Sequence, residues 1–146
     1  MAKYVTTVRT PRTPEAAFAY MADLRNFEEW DPGVRSASQV IGDGPSPDAE
    51  YDVTVDAPGG GLTLRYRATE FDAPRTVTVK ASSRLFTSLD RIDVTPDGDG
   101  SLVRYDAELT LNGPLGIFDP FLKGTFRKIG ERANRGLIRA LDGEQA

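Results

Sequence analysis

The chain contains no cysteine and no histidine. The first absence excludes a disulfide framework; together they remove thiol nucleophiles, imidazole bases and the usual zinc ligand sets. No cofactor or metal is therefore expected. Long apolar runs are missing as well. Nothing approaches the ~20 consecutive residues that span a bilayer, and the opening MAKYVTTVRTP carries no apolar signal core. The expectation is a cytoplasmic protein without stable membrane insertion. Positive charge is in deficit, 18 Lys and Arg against 22 Asp and Glu for a net charge of −4, which argues against a nucleic-acid binder. There is no internal repeat, low-complexity segment or linker. The 146 residues read as one domain, 1–146, large enough to bury roughly 68 to 70% of its unfolded surface.

What is present is organised around the last long stretch, Asp119 to Leu141. Asp119 offers a capping oxygen and Pro120 fits a first helical turn, so a helix is expected to start there. Leu122, Phe126, Ile129, Ala133, Leu137 and Ala140 recur at three- and four-residue steps, an apolar stripe along one face. Between them lie Lys123, Arg127, Lys128, Arg132, Arg135 and Arg139 against the single acid Glu131. Such a stripe needs a surface to cover. The cationic face reads as solvated above an acidic body, with docking to an anionic surface or an acidic carrier protein as the alternative. Gly116, Gly124, Gly130 and Gly136 permit close approach to the sheet or leave room beneath the helix.

The preceding residues read mostly as strands. Lys3 to Arg9 alternates enough for one. Thr13-Pro14-Glu15 starts a helix with Phe18, Met21 and Ala22 on its apolar edge, and Asn26 caps a shorter one through Phe27 and Trp30. Six further strands follow: Val34 to Ile41, Tyr51 to Ala57, Leu62 to Phe71, Thr76 to Ser83, Phe86 to Thr95 and Leu102 to Leu111. Their separators are short and turn-forming, Pro58 to Gly61 among them, so neighbours are antiparallel. The alternation assigns an apolar face with Tyr51, Tyr66, Tyr105, Ser83, Ser88, Glu70 and Asp90 as its polar members. Hairpin symmetry places Glu70 opposite Val77, Val79 opposite Asp90, Ile92 opposite Tyr105 and Val94 opposite Val103.

Glu70 and Asp90 are the candidates for chemistry. A carboxylate facing an apolar interior has its charged form disfavoured and becomes a usable acid or base near neutral pH. Their separation, roughly 12 Å across two strands, prevents proton sharing, so each needs a nearby tyrosine, Tyr66 or Tyr105. Hydration at a mouth or pairing with an arginine is the competing reading. Trp30 with Phe27 is either an aromatic wall or a plug that closes one end of the core.

Strand, TPEAAFAYMADLRNFEEWDPGV, six strands and a long terminal helix resembles the SRPBCC superfamily, the START-like helix-grip fold, and within it the polyketide cyclase/dehydrase and lipid-transport branch. The motifs that carry this are Thr13-Pro14-Glu15, Trp30-Asp31-Pro32-Gly33-Val34, Gly100-Ser101-Leu102-Val103 and Asp119-Pro120. The resemblance implies an α+β fold: a seven-stranded antiparallel curved sheet, two short N-terminal helices, and one long C-terminal helix over a hydrophobic cavity. It also implies a hydrophobic, polyketide- or lipid-like ligand there, cyclised or dehydrated without a cofactor, or simply carried or sensed. Glu70, Asp90 and Tyr66 are then the catalytic candidates. Trp30, Tyr51, Leu64, Tyr66, Val79, Ser88, Tyr105, Phe118, Leu122 and Phe126 are the ligand-binding ones. One departure stands out. Aromatic polyketide cyclases orient their chain with inward arginines, whereas Arg65 and Arg67 read as outward here. Docking to an acidic carrier protein and homodimer formation remain open alternatives for partners.

Overall fold

The computed structural model describes residues 1–57 and 60–146, without the side chains of Ala57, Asp119 and Phe121. The expected Pro58 to Gly61 loop thus lies partly outside the described residues. An eight-stranded antiparallel sheet dominates, in the order β2-β3-β4-β5-β6-β7-β1-β8. Its strands are β1 (Ala2–Thr10), β2 (Val34–Ile41), β3 (Glu50–Ala57), β4 (Gly60–Asp72), β5 (Thr76–Ser82), β6 (Phe86–Asp97), β7 (Gly100–Leu111) and β8 (Glu144–Gln145). The helices are α1 (Pro14–Ala22), α2 (Phe27–Trp30) and α3 (Asp119–Ala140), with 3-10 turns at Leu24–Asn26 and Gly113–Phe118.

Local chemistry sets the helix starts. Thr13 accepts a hydrogen bond from the Ala16 amide (3.2 Å), with Pro14 in the first turn of α1. Asn26 stands at the cap position of α2, yet its side chain donates instead to the Tyr20 carbonyl (2.9 Å). At α3 the cap position is taken by Phe118, one residue before the expected Asp119, because the 3-10 turn runs directly into the helix.

Two expectations need correction. The sheet has eight strands, not seven. After α3, Asp142 (φ 51°) and Gly143 turn the chain back, and Glu144 and Gln145 pair with Arg9 and Val8. Two residues are too few to show a strand period. Second, Glu70 does not face the interior. A bulge between Ala68 and Glu70 places Glu70 opposite Thr78 and Phe71 opposite Val77. One extra residue reverses every side chain beyond it. Phe71 turns inward onto Phe18, ring centroids 5.6 Å apart, and Glu70 turns outward. The pairings of Asp90 with Val79, Ile92 with Tyr105 and Val94 with Val103 are as read from the alternation.

The core lies on the concave face. Val8, Leu64, Val77, Val79, Ile92, Val94 and Val103 meet Phe18, Met21, Leu24, Phe27 and Trp30 from the short helices and Ala133, Leu137 and Leu141 from the chain end. Glycine sets how closely α3 lies. A side chain at Gly130 would strike the Tyr4 ring, and one at Gly136 the Trp30 carbonyl, whereas Gly124 has open space beside it. Gly130 thus allows the close approach to the sheet expected of these glycines and Gly136 an approach to α2 instead, whereas Gly124 is exposed on the outer side of α3, so the space beside it is solvent and not room beneath the helix.

Candidate functional site

The inner face carries a small polar cluster on β4, β6 and β7. Tyr66 donates to the Ser88 hydroxyl (2.8 Å). The register pairs Arg67 with Lys80 and Ala81 with Ser88, so the phenol reaches across the strand occupied by Ala81, whose methyl group leaves it room. Two residues along β6, Asp90 is hydrogen-bonded to Tyr105. Asp90 is 5% exposed. Burial pushes its carboxyl up to about 7 from an ordinary 3.8; the Tyr105 hydrogen bond pulls down, and the negative charges of Asp31 and Asp106 push up further. Burial, reinforced by Asp90, raises both Tyr66 and Tyr105, so each keeps its proton at neutral pH.

Trp30 joins this cluster through its ring. It packs edge-on against Tyr105 (5.3 Å) and Phe27 (4.8 Å) and is 1% exposed, which makes it a plug. Its indole N–H and the Tyr51 hydroxyl are buried without a hydrogen-bond partner in the described structure. Burial raises the Tyr51 phenol to about 12, with nearby Asp23 adding to it. Leu64 and Val79 are buried between these groups.

At the other end of α3 the inner face is covered less completely. Among the described side chains from Asp119 to Gly130 none is buried; beyond them Ala133, Gly136 and Leu137 are. Leu122 and Phe126 are half-buried there, as are Leu62, Phe86, Leu109, Leu111 and Leu115, and Phe118 stands at the rim, half exposed. Asn112 ties this end together: its amide donates to the Leu85 carbonyl (2.8 Å) and its side chain to the Ser83 carbonyl (2.9 Å). Ser83, read as an inner-face residue, is a turn residue, its hydroxyl accepting the Leu85 and Phe86 amides.

The sequence-derived site therefore divides. Tyr51, Leu64, Tyr66, Val79, Ser88, Asp90 and Tyr105 share the inner face, with Trp30 plugging its end, while Phe118, Leu122 and Phe126 flank the less covered end. Glu70 belongs to neither. It accepts from Thr78 (3.1 Å) and pairs with Arg91 (2.9 Å) on the outer face. From its local pattern Asp31 reads only as a turn residue. It does make that turn, accepting the Gly33 amide (2.9 Å), but its carboxyl is raised by burial and its charge acts on Asp90. Two open clefts lie outside the grip. One, of ≈ 370 Å³, is lined by Arg9, Thr10, Asp97 and Asp142; the other, of ≈ 300 Å³, lies between α2 and α3.

A curved antiparallel sheet holding one long terminal helix, with two short helices closing an end, is the START-like helix-grip fold. Residues 1–142 match the family described as polyketide cyclase / dehydrase and lipid transport, and the chain belongs to that family. A START superfamily protein from Mycobacterium smegmatis superposes with a TM-score of 0.77 at 15% identity, over 97% of this chain and 98% of that one. A STAR-related lipid transfer protein from Xanthomonas axonopodis gives 0.72 at 17%, over 96% and 85%. A protein from Thermus thermophilus gives 0.75 at 16%, over 95% and 96%. Among curated proteins no relative matches. No helix among the described residues is long and apolar enough to cross a membrane.

Proposed function

We propose that the protein binds a hydrophobic, polyketide- or lipid-like small molecule between the sheet and α3, entering where α3 begins. The observation that carries this reading is the gradient of burial along α3: its C-terminal half is seated on Tyr4 and Trp30, while apolar side chains at its N-terminal end remain half covered. Half-covered apolar surface facing an inner wall of Leu62, Phe86, Leu109 and Leu111 suits a ligand of the same polarity. Family membership supports the same class of ligand.

Within that reading, Asp90 and Tyr105 are the proton-handling pair, with Tyr66 orienting a carbonyl or enol. A buried carboxyl near pH 7 is matched to accepting or returning a proton at neutral pH. The reaction class that fits is cyclisation or dehydration of a bound chain, with positioning and exclusion of water as the main contributions. A carrier using the same site is the second reading, favoured by the burial of Asp90, which is 5% exposed.

Native mass spectrometry of protein purified from its own host is expected to show a co-purifying hydrophobic molecule, lost on Phe126→Glu. Protein that retains no such mass, and whose Trp30 fluorescence is unmoved by fatty acids or polyketide mimics, overturns the reading. With ligand in hand, Asp90→Asn and Tyr105→Phe lower the rate at unchanged affinity in an enzyme and change only affinity in a carrier.

A further inference from the structure

The arginines of the sheet and those of α3 are treated differently. On the outer face Arg35 pairs with Asp56, Arg65 with Asp52, Arg91 with Glu70 and Arg104 with Asp106. On α3 only Arg127 has an acidic partner among the described residues, Glu131 at 3.3 Å. Lys128, Arg132, Arg135 and Arg139 are exposed and make no ion pair there. Their spacing of four, three and four residues places them within about 60° of one another on the helix, opposite the buried Ala133 and Leu137. Glu28, Glu29 and Asp31 border this stripe across an open cleft, and Arg132 acts on Asp31 through its charge, but none of the three acids is within ion-pair distance of the stripe among the described residues.

The same helix is preceded by an apolar tip. Ile117 is 74% exposed, and Leu85 and Phe118 are about as exposed as they are covered, at 52% and 50%. Leu85 is held at this end because its carbonyl accepts the Asn112 amide. Exposed cations along α3 and exposed apolar side chains in the turns just ahead of it suit a headgroup layer above acyl chains. An acidic protein would need only the cations.

We propose that the protein docks on anionic lipid bilayers through the outer stripe of α3 and the tip formed by Leu85, Ile117 and Phe118. The remainder of the chain, net acidic, is repelled by such a surface, so the field orients α3 toward it. This goes beyond ligand binding and places the less covered end of the inner face next to the membrane.

The test is co-sedimentation of the full chain with phosphatidylcholine vesicles, with and without phosphatidylglycerol. The anionic vesicles are expected to bind at least about tenfold more protein, falling as salt is raised. Arg132→Glu with Arg135→Glu and Arg139→Glu is expected to abolish binding, and the corresponding Lys substitutions to retain it. Leu85→Ser with Ile117→Ser is expected to weaken binding about tenfold while the thermal melt is unchanged. Equal binding to both vesicles, or to neither, overturns the proposal. So does binding to polyglutamate matching the vesicles and indifferent to the Leu85 and Ile117 changes, which marks an acidic-protein surface. A dimer in solution dispersed by those same changes also overturns it, since a second copy then covers the tip.

Discussion

Asp90 links this protein's stability to pH. The folded carboxyl titrates near 7 and the unfolded one near 3.8, so between those values the native state binds the extra proton. Stability is therefore full below about pH 4, falls as pH rises toward 7 and levels off above, a loss of a few kcal/mol at most. Asp90→Asn is expected to flatten that slope and to raise the melting temperature above pH 7, read by thermal melts from pH 4 to 9. A wild-type melt independent of pH over that range counts against the buried, proton-holding carboxyl. Glu70 is the contrasting case. Exposed and paired with Arg91, it is expected to tolerate Glu70→Gln with a change within about 1 kcal/mol and no effect on ligand affinity, checked by denaturant melts and titration.

At the scale of elements, α3 is a rod fixed at one end. Gly136→Ala forces a methyl group into the Trp30 carbonyl and Gly130→Ala forces one into the Tyr4 ring, so each is expected to cost about 1–3 kcal/mol. Gly124→Ala meets nothing, and the better helix propensity of alanine should stabilise by about 0.5–1 kcal/mol. Chemical denaturation of the three variants checks the order, and equal losses at all three would remove the case for close seating of α3 at Gly130 and Gly136. The bulge in β4 is the other decisive element. By inserting Thr69 it delivers Phe71 to Phe18 and keeps a second carboxylate out of the core.

For the whole molecule, the closing of the sheet on α3 depends on the chain's last residues. Gln145 donates to Thr6 (2.9 Å) and the Thr7 carbonyl (2.9 Å) and accepts from Asn134 of α3 (2.7 Å), while Thr10 donates to the Leu141 carbonyl (2.6 Å). β8 thus ties the helix to the edge of β1. Removing residues 143–146 takes away the three Gln145 side-chain bonds and the Gly143 and Ala146 amide bonds, and is expected to cost about 2.5–5 kcal/mol, at about 0.5–1 kcal/mol for each. Hydrogen exchange should then quicken along β1 and the last turns of α3, and unchanged protection there would contradict the tie.

Read alone, the order of residues settles the α+β class, the seven long strands, the capped α1, the amphipathic α3 and the inward direction of Tyr51, Tyr66, Asp90 and Tyr105. These follow from periods of 2 and 3.6 that run long enough to be read locally. It takes the folded contacts to establish that Glu70 faces water, that Trp30 is a plug against Tyr105, that Asp31 acts on Asp90 and that an eighth strand fastens α3. A single inserted residue, a ring contact or a two-residue pairing leaves no period in the chain, because each exists only once distant segments have met.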